Sequence, residues 1–134
     1  MKSVRKPIYA VGIIEKSDNE FLVVRREQPP RVSRIWQFPR GPARPGESPE
    51  AAMRRMASED VGLGVEVLIG QPPLVLTLDG QEVEVRYFFC GVIHGELRAG
   101  PYAEWRWVPK SQLPEYEYDE CTRPVVQWLL EDRQ

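Results

Sequence analysis

The chain has 134 residues, of which 42% are hydrophobic and 28% are charged. This length suits one domain with a buried core, and the composition argues against intrinsic disorder. The formal net charge of -2 lacks the basic excess that is typical of a general nucleic-acid-binding protein. Two cysteines, one histidine and no CxxC motif argue against a disulfide framework and against a zinc site of cysteine and histidine ligands.

No apolar stretch reaches the length of a membrane span, and no signal-peptide core follows Met1. We therefore expect no membrane partner and a cytoplasmic, reducing location. Cys90 lies in the apolar run at residues 87–90, which predicts a buried thiol.

The first part of the chain predicts a β-hairpin. Residues 9–14 and 21–24 are apolar and rich in β-branched side chains, and a polar turn at residues 17–20 separates them. The paired prolines at residues 28–33 predict a loop, because proline lacks the donor that a strand ladder needs. A short strand is predicted at residues 35–38.

The next element is a helix with signals at both ends. Ser48 is a suitable N-cap, Pro49 fits the first helical position, and Glu50 suits the positive end of the helix. The helix continues over residues 51–60 and is expected to end near Gly62.

The remainder predicts more strands and one closing helix. Strands are expected at residues 65–69, 74–78 and 83–89, with a turn at Asp79-Gly80 and edge strands at 97–98 and 105–108. A capped start at residues 122–124 precedes a helical pattern over 125–131. This order predicts an α+β fold, an α/β/α sandwich with a mixed sheet, as a single domain over residues 1–134.

Residues 41–63 carry the most informative motif. They read GPARPGESPEAAMRRMASEDVGL, with Gly41, Glu47, Arg55, an acidic pair at 59–60 and Gly62 at fixed spacing across a loop, a helix and a turn. This stretch resembles the box of the Nudix hydrolase family. The flanking WQFP at residues 36–39 is similar to members that act on dinucleoside polyphosphates and RNA 5′ ends, and WRWVP at 105–109 is similar to another family segment.

The spacing of the box has a physical meaning. Positions 56, 59 and 60 share one helix face, where carboxylates would form an oxygen cluster suited to a hard divalent cation. The resemblance implies hydrolysis of a nucleoside diphosphate linked to another group, with Mg²⁺ or Mn²⁺ as cofactor. It implies that Glu59 and Asp60 hold the metal, and we expect them side by side on the exposed face toward residues 41–46.

The box departs from the family pattern at one position. Where the family has a glutamate that binds metal and is often credited with activating water, this chain has Met56. A thioether cannot accept a proton and is a poor ligand for a hard cation. Either the enzyme is slowed, or the fold has become a binding module in which Met56 only fills space against the sheet.

Two further acidic features leave alternatives open. The resemblance implies that Glu47 braces the loop and the helix through Arg55; the alternative is that Arg55 and Glu59 are an ordinary i,i+4 helix pair. Family members often carry another glutamate near the position of Pro101, where the nearest acid is Glu104. The acids at 115, 117, 119 and 120 either fold back toward the site or form an acidic surface turn.

Candidate substrate-binding residues border the box. Arginine suits phosphate because of its fork of donors, which makes Arg40 and Arg44 candidates, with Arg25 and Arg26 nearby; solvated surface arginine is the alternative for each. Tyr87 is a candidate for contact with a phosphate or a base. Trp36 either stacks on a base or enters the core.

Our sequence interpretation is a metal-dependent Nudix-type pyrophosphohydrolase of reduced activity, with catalytic residues Glu47, Glu59 and Asp60. Its expected partner is a small nucleotide substrate, with an RNA 5′ end as another possibility. The alternative is a non-catalytic Nudix-fold module that binds a nucleotide-like ligand or a protein.

Overall fold

The computed structural model describes residues 6–17, 19–26, 34–78, 80–98 and 100–131. The loop predicted at 28–33 and the turn residue Asp79 lie outside these ranges. In the described part, the strands and helices are β1 (Ile8–Lys16), β2 (Glu20–Arg25), β3 (Ile35–Trp36), β4 (Arg40–Pro42), α1 (Pro49–Val61), β5 (Leu63–Gly70), β6 (Leu74–Leu78), β7 (Gln81–Gly95), β8 (Glu104–Pro109), a 3₁₀ helix (Lys110–Glu115), β9 (Glu117–Tyr118) and α2 (Arg123–Glu131).

The main sheet is mixed, as predicted. Its strand order is β5-β7-β1-β2-β8, with β4 paired to β1 and β6 paired to β7. The central pair, β1 and β7, is parallel, whereas the other pairs of this sheet are antiparallel. β3 and β9 form a separate short parallel pair.

Helix α1 begins and ends where the sequence predicts. The Ser48 hydroxyl accepts a hydrogen bond from the Ala51 N–H at 3.1 Å, and Pro49 occupies the first turn. Gly62 ends the helix at a φ of 77°, a left-handed conformation that favours glycine.

Alternation along β1 divides the interior into two cores. Ala10 and Ile14 pack on the face covered by α1, while Val11 and Ile13 pack on the face covered by α2. Because successive strand side chains point to opposite faces, one central strand supplies both cores. The predicted α/β/α sandwich is confirmed. Both cysteines are buried, free thiols.

The predicted edge strand at residues 97–98 is wrong, because the backbone there serves helix α1 instead. The Arg98 N–H donates to the Val61 carbonyl at 3.2 Å, and its guanidinium donates to the carbonyls of Ser58 at 2.9 Å and Glu59 at 3.3 Å. The segment therefore supplies donors to the carbonyls of Glu59 and Val61 at the helix end and a second donor to that of Ser58, which also accepts from the Gly62 N–H. Within the described ranges, neither helix is long and apolar enough to cross a bilayer.

Candidate active site

The loop between β4 and α1 is fastened to the helix by one carboxylate. Arg55 donates to Glu47 from Nε at 2.8 Å and from Nη2 at 3.0 Å, a bidentate pair, and the Arg44 N–H donates to the same carboxylate at 2.9 Å. The hydrogen bonds from Arg55, followed by the one from Arg44, lower the pKa of Glu47 to about 2. Arg55 also donates to the Pro42 carbonyl at 3.1 Å. Glu47 thus contacts both the loop and the helix.

Glu59 lies on the exposed side of α1 toward this loop. Its Oε1 is 3.5 Å from Arg44 Nη2 and 3.5 Å from Arg55 Nη1. Glu47, Arg55, Glu59 and Arg44 therefore form one connected ionic network. Both arginine contacts of Glu59 are long, so its carboxylate is not tightly held.

Asp60 is half-buried beside Glu59. Burial raises its pKa, whereas the positive charge of Arg26 lowers it and Glu59 raises it further. The structure brings the predicted pair Glu59 and Asp60 together with Arg26 and Arg44. These groups combine an acidic pair with cations of the kind that bind phosphate.

Met56 is 2% exposed and packs in the core beneath α1. A Cβ built on Gly41 would lie 3.0 Å from Met56 Sδ, so the thioether sits directly against strand β4. Met56 therefore fills space between α1 and strand β4, and it does not share the exposed face of Glu59 as the helical spacing predicted. Within the described ranges, no three acidic, histidine or cysteine side chains are grouped to hold a metal ion.

The remaining acids nevertheless fit a divalent cation in one specific way. Mg²⁺ is commonly held through one or two protein carboxylates, with substrate phosphates and waters completing its coordination. Glu59 and Asp60 match such a partial site. They do not match an all-protein cage.

Arg40 lies on the other face of the sheet, where it forms an ion pair with Asp119. The two residues line an open cavity of about 280 Å³ together with Tyr9, Thr77, Leu78, Gln81, Val83 and Glu120. Asp119 also accepts a hydrogen bond from the Thr122 N–H at 3.0 Å, just before α2. Asp119, one of the acids at residues 115–120, therefore contacts Arg40. The Asp119 side chain thereby closes the turn that precedes α2, a role that aspartate often takes and that its position three residues before Thr122 indicates.

The expectation that Tyr87 contacts substrate is corrected by the structure. Tyr87 is fully buried on the α2 face, and its hydroxyl donates to the Cys121 carbonyl at 2.6 Å. Its ring meets Trp128 edge-on, with centroids 5.6 Å apart. The side chain joins the sheet to the segment before α2.

Trp36 enters the core, which decides between its two alternatives. It is 8% exposed and packs edge-on against Tyr116, and Arg106 covers its ring with Cζ 5.1 Å from the centroid.

Arg25, one of the arginines near the box, pairs with Glu104; the Nε of Arg25 is 3.1 Å from Oε1 of Glu104. Glu104 is thus tied to β2.

Comparison with known proteins agrees with this architecture. The NUDIX domain family model matches residues 6–129. The chain belongs to the Nudix family.

Two curated relatives illustrate the similarity. An 8-oxo-dGTP diphosphatase of Escherichia coli K12 is 37% identical over 60 residues, 45% of this chain and 46% of that protein. The matched region thus spans less than half of that relative's length. An RNA pyrophosphohydrolase of Photorhabdus laumondii is 66% identical over 29 residues, 22% of this chain and 16% of that protein.

Solved structures share the fold. The MutT protein from Methanosarcina mazei Go1 superposes with a TM-score of 0.79 at 22% identity, covering 98% of this chain and 100% of that chain. A C. elegans Ap4A hydrolase in a binary complex gives a TM-score of 0.75 at 17% identity, covering 92% and 93%. At these identities the likeness establishes the fold alone.

Proposed function

We propose that this single Nudix domain is a metal-dependent pyrophosphohydrolase of reduced activity, acting on a nucleoside polyphosphate or a dinucleoside polyphosphate. The observation that carries the proposal is the network of Glu47, Arg55, Glu59 and Arg44. It keeps the box loop, the helix and the acidic pair in one arrangement even though Met56 replaces a carboxylate. If the box served only the fold, these four charged side chains would not need to be assembled at the surface.

The substrate's phosphates are proposed to lie between the acidic pair and the cations around it. Arg44 is exposed, and Arg26 lies close enough to Asp60 to influence its titration. Both guanidiniums offer donors of the geometry that phosphate oxygens accept. Mg²⁺ or Mn²⁺ held by Glu59, Asp60 and the phosphates would neutralise charge and polarise the diphosphate.

The nucleoside end is proposed to occupy the cavity beside Arg40. Arg40 begins β4, the strand that leads directly into the box loop that carries Arg44. The acceptor oxygens of Asp119 and Glu120 suit the N–H donors of a base. The matched relatives named for 8-oxo-dGTP and for RNA support a nucleotide substrate, with an RNA 5′ triphosphate as the second substrate to test.

A second candidate function is a non-catalytic nucleotide-binding module. The burial of Met56 against Gly41 favours it, because that packing removes the position from the surface where a base would act. The arginines and the cavity would remain useful for binding in that case.

Hydrolysis of a substrate panel tests the first candidate. The panel comprises dGTP, 8-oxo-dGTP, a dinucleoside tetraphosphate and a 5′-triphosphorylated RNA, each assayed with Mg²⁺ and with Mn²⁺. Glu59→Gln and Asp60→Asn should each abolish most of the turnover, whereas Glu50→Gln, on the same helix and paired with Arg54, should not. Turnover that survives both site substitutions would refute the assignment of the acidic pair.

Calorimetric titration separates the two candidates. Because two carboxylates leave most of the coordination to water and phosphate, Mn²⁺ should bind weakly to the free protein and more tightly with a nonhydrolysable nucleotide. Nucleotide binding without any hydrolysis would support the module. Strong Mn²⁺ binding without nucleotide would show that the site has a further ligand.

A further inference from the structure

An open pocket of about 400 Å³ lies on the α1 face of the sheet, just beyond the end of that helix. Its lining includes Leu63, the first residue of β5, and two tryptophans of β8, Trp105 and Trp107. Lys16 and Glu96 supply its charged groups. The described residues of α1 and α2 take no part in this lining. We call it the Trp105 pocket, and it shares no lining residue with the cavity beside the ion pair that precedes α2.

The two tryptophans differ in what already covers them. As residues i and i+2 of one strand, they share a face of the sheet. Trp107 packs against the core beneath α1, and the Lys16 ammonium lies over its ring, 4.9 Å from the centroid. Trp105 is 38% exposed, and within the described ranges no cation or aromatic ring lies over it. Trp105 therefore offers the pocket an indole surface for stacking.

The size and chemistry of the Trp105 pocket suit a nucleobase. Ligand pockets commonly have about 300–1,000 Å³ and combine aromatic walls with a few polar groups. Every nucleobase can stack on an indole, because each has a π face. The Glu96 carboxylate is an acceptor for the N–H donors on the edge of a base, and guanine presents more than one such donor.

The lysine of the pocket suits the phosphate of a nucleotide. The Lys16 side chain is 41% exposed, and its ammonium is 3.6 Å from Glu20, a long ion pair that leaves donors available. A lysine ammonium binds phosphate as a point charge. One acceptor group and one cation therefore complement the two polar ends of a nucleotide, with the indole of Trp105 between them.

We propose that the Trp105 pocket binds a nucleobase, which stacks on Trp105 while its phosphate lies near Lys16. This site goes beyond the hydrolase proposed above and does not depend on hydrolysis. The connection that begins at Glu96 also reaches the acidic pair, because Gly100 lies directly against the Asp60 carbonyl. The base therefore comes from a free nucleotide or from the second nucleoside of a dinucleoside polyphosphate.

The test follows the indole N–H signals of the ¹⁵N-labelled protein by NMR during titration with guanosine monophosphate, without divalent metal. The Trp105 signal, identified by its loss in Trp105→Leu, should shift saturably. Leucine keeps the position apolar and removes the stacking surface. Binding in Trp105→Leu, followed by the Trp107 signal, should be weaker by about 10-fold, the loss expected for one base–aromatic stack.

Lys16→Gln tests the phosphate contact. It should weaken the binding of guanosine monophosphate and leave that of guanosine unchanged. Lys6→Gln is the matched control, because Lys6 is 48% exposed and forms a similar long pair with Glu82 at 3.8 Å. It should change the binding of neither ligand.

A nonhydrolysable diguanosine tetraphosphate separates the two sources of the base. If the pocket takes the second nucleoside, this ligand binds the wild-type protein more tightly than a nonhydrolysable GTP analogue, and Trp105→Leu removes the difference. If the pocket takes a free nucleotide, Trp105 responds to guanosine monophosphate and the dinucleotide gains nothing. Either result supports the site.

A Trp105 signal that moves with neither ligand would overturn the inference, as would unchanged affinity for guanosine monophosphate in folded Trp105→Leu and Lys16→Gln proteins. Hydrolysis by a protein whose Trp105 does not respond would leave the proposed function standing. A Trp105 response in a protein that hydrolyses none of the substrates would leave the site standing and remove the proposed function.

Discussion

The sulfur of Met56 is in contact with strand β4 at Gly41, where an added Cβ would approach it to 3.0 Å. The side chain that stands in place of the third acid of the box is therefore a packing element beneath the box loop. At this position, packing of the core favours methionine, whereas the acidic set of the box favours a carboxylate. A carboxylate would complete the acidic set, but it would begin from an almost fully buried site.

Met56→Glu is expected to raise Mg²⁺-dependent hydrolysis by up to about 10²-fold, because it restores a third carboxylate at i, i+3, i+4 spacing. The helix itself should tolerate glutamate, which is a good helix former. Without a cation the substitution should cost on the order of 2 kcal/mol of unfolding free energy, since it buries an unpaired charge. Turnover and chemical denaturation are measured with and without Mg²⁺.

Met56→Gln is the control for this prediction, because it has nearly the same size as glutamate and no charge. It should give no gain in turnover. An equal gain from glutamine would show that packing, rather than the carboxylate, limits the rate. A folded Met56→Glu protein with unchanged turnover would show that another residue already performs the role.

Glu47 should make the stability of the protein depend on pH in the acid range. Its pKa is lowered from 4.5 to about 2 in the folded protein, so its contribution is fully present above about pH 5 and is lost as the pH falls toward about 2. Glu47→Gln removes this contribution. The Tm difference between wild type and Glu47→Gln should therefore be largest near neutrality and shrink progressively below about pH 4.5. A difference that stays constant down to pH 2 would contradict the ion pair with Arg55.

Tyr87→Phe should reduce stability without affecting ligand binding. It removes a buried hydrogen bond and leaves the Cys121 carbonyl without that donor, which costs about 1 kcal/mol. Urea denaturation measures the loss, and calorimetry measures nucleotide affinity. Weakened nucleotide binding at unchanged stability would return Tyr87 to the substrate site.

The sequence predicts best where the determining interactions are local. Helix α1 is predicted correctly because Ser48, Pro49 and Gly62 act within one turn of its ends. The pairing of Glu47 with Arg55 spans 8 residues, and the motif predicts it as one of two alternatives.

The features that were missed depend on contacts between distant parts of the chain. Arg40 and Asp119 are 79 residues apart, and Arg98 is 40 residues from the Ser58 carbonyl that it caps. Alternation along β7 places Tyr87 on the same face as Val83 and Val85. Only the packing of α2 shows that this face is buried.

The ion pair between Arg40 and Asp119 is expected to join the box segment to the start of α2. Each side chain is 21% exposed, and Asp119 also accepts from the Thr122 N–H. Arg40→Met leaves a half-buried carboxylate without its cation and should cost about 1–3 kcal/mol of unfolding free energy. Asp119→Asn should cost less than Asp119→Ala, because asparagine keeps an acceptor for Thr122 at this helix start.

Urea denaturation of the three variants and of the Arg40→Met/Asp119→Asn double variant gives the coupling between the two side chains. If the pair exists in solution, the double variant loses less stability than the sum of the single losses. Fully additive losses would mean that Arg40 and Asp119 act independently, and equal losses for asparagine and alanine would mean that the bond to Thr122 contributes nothing.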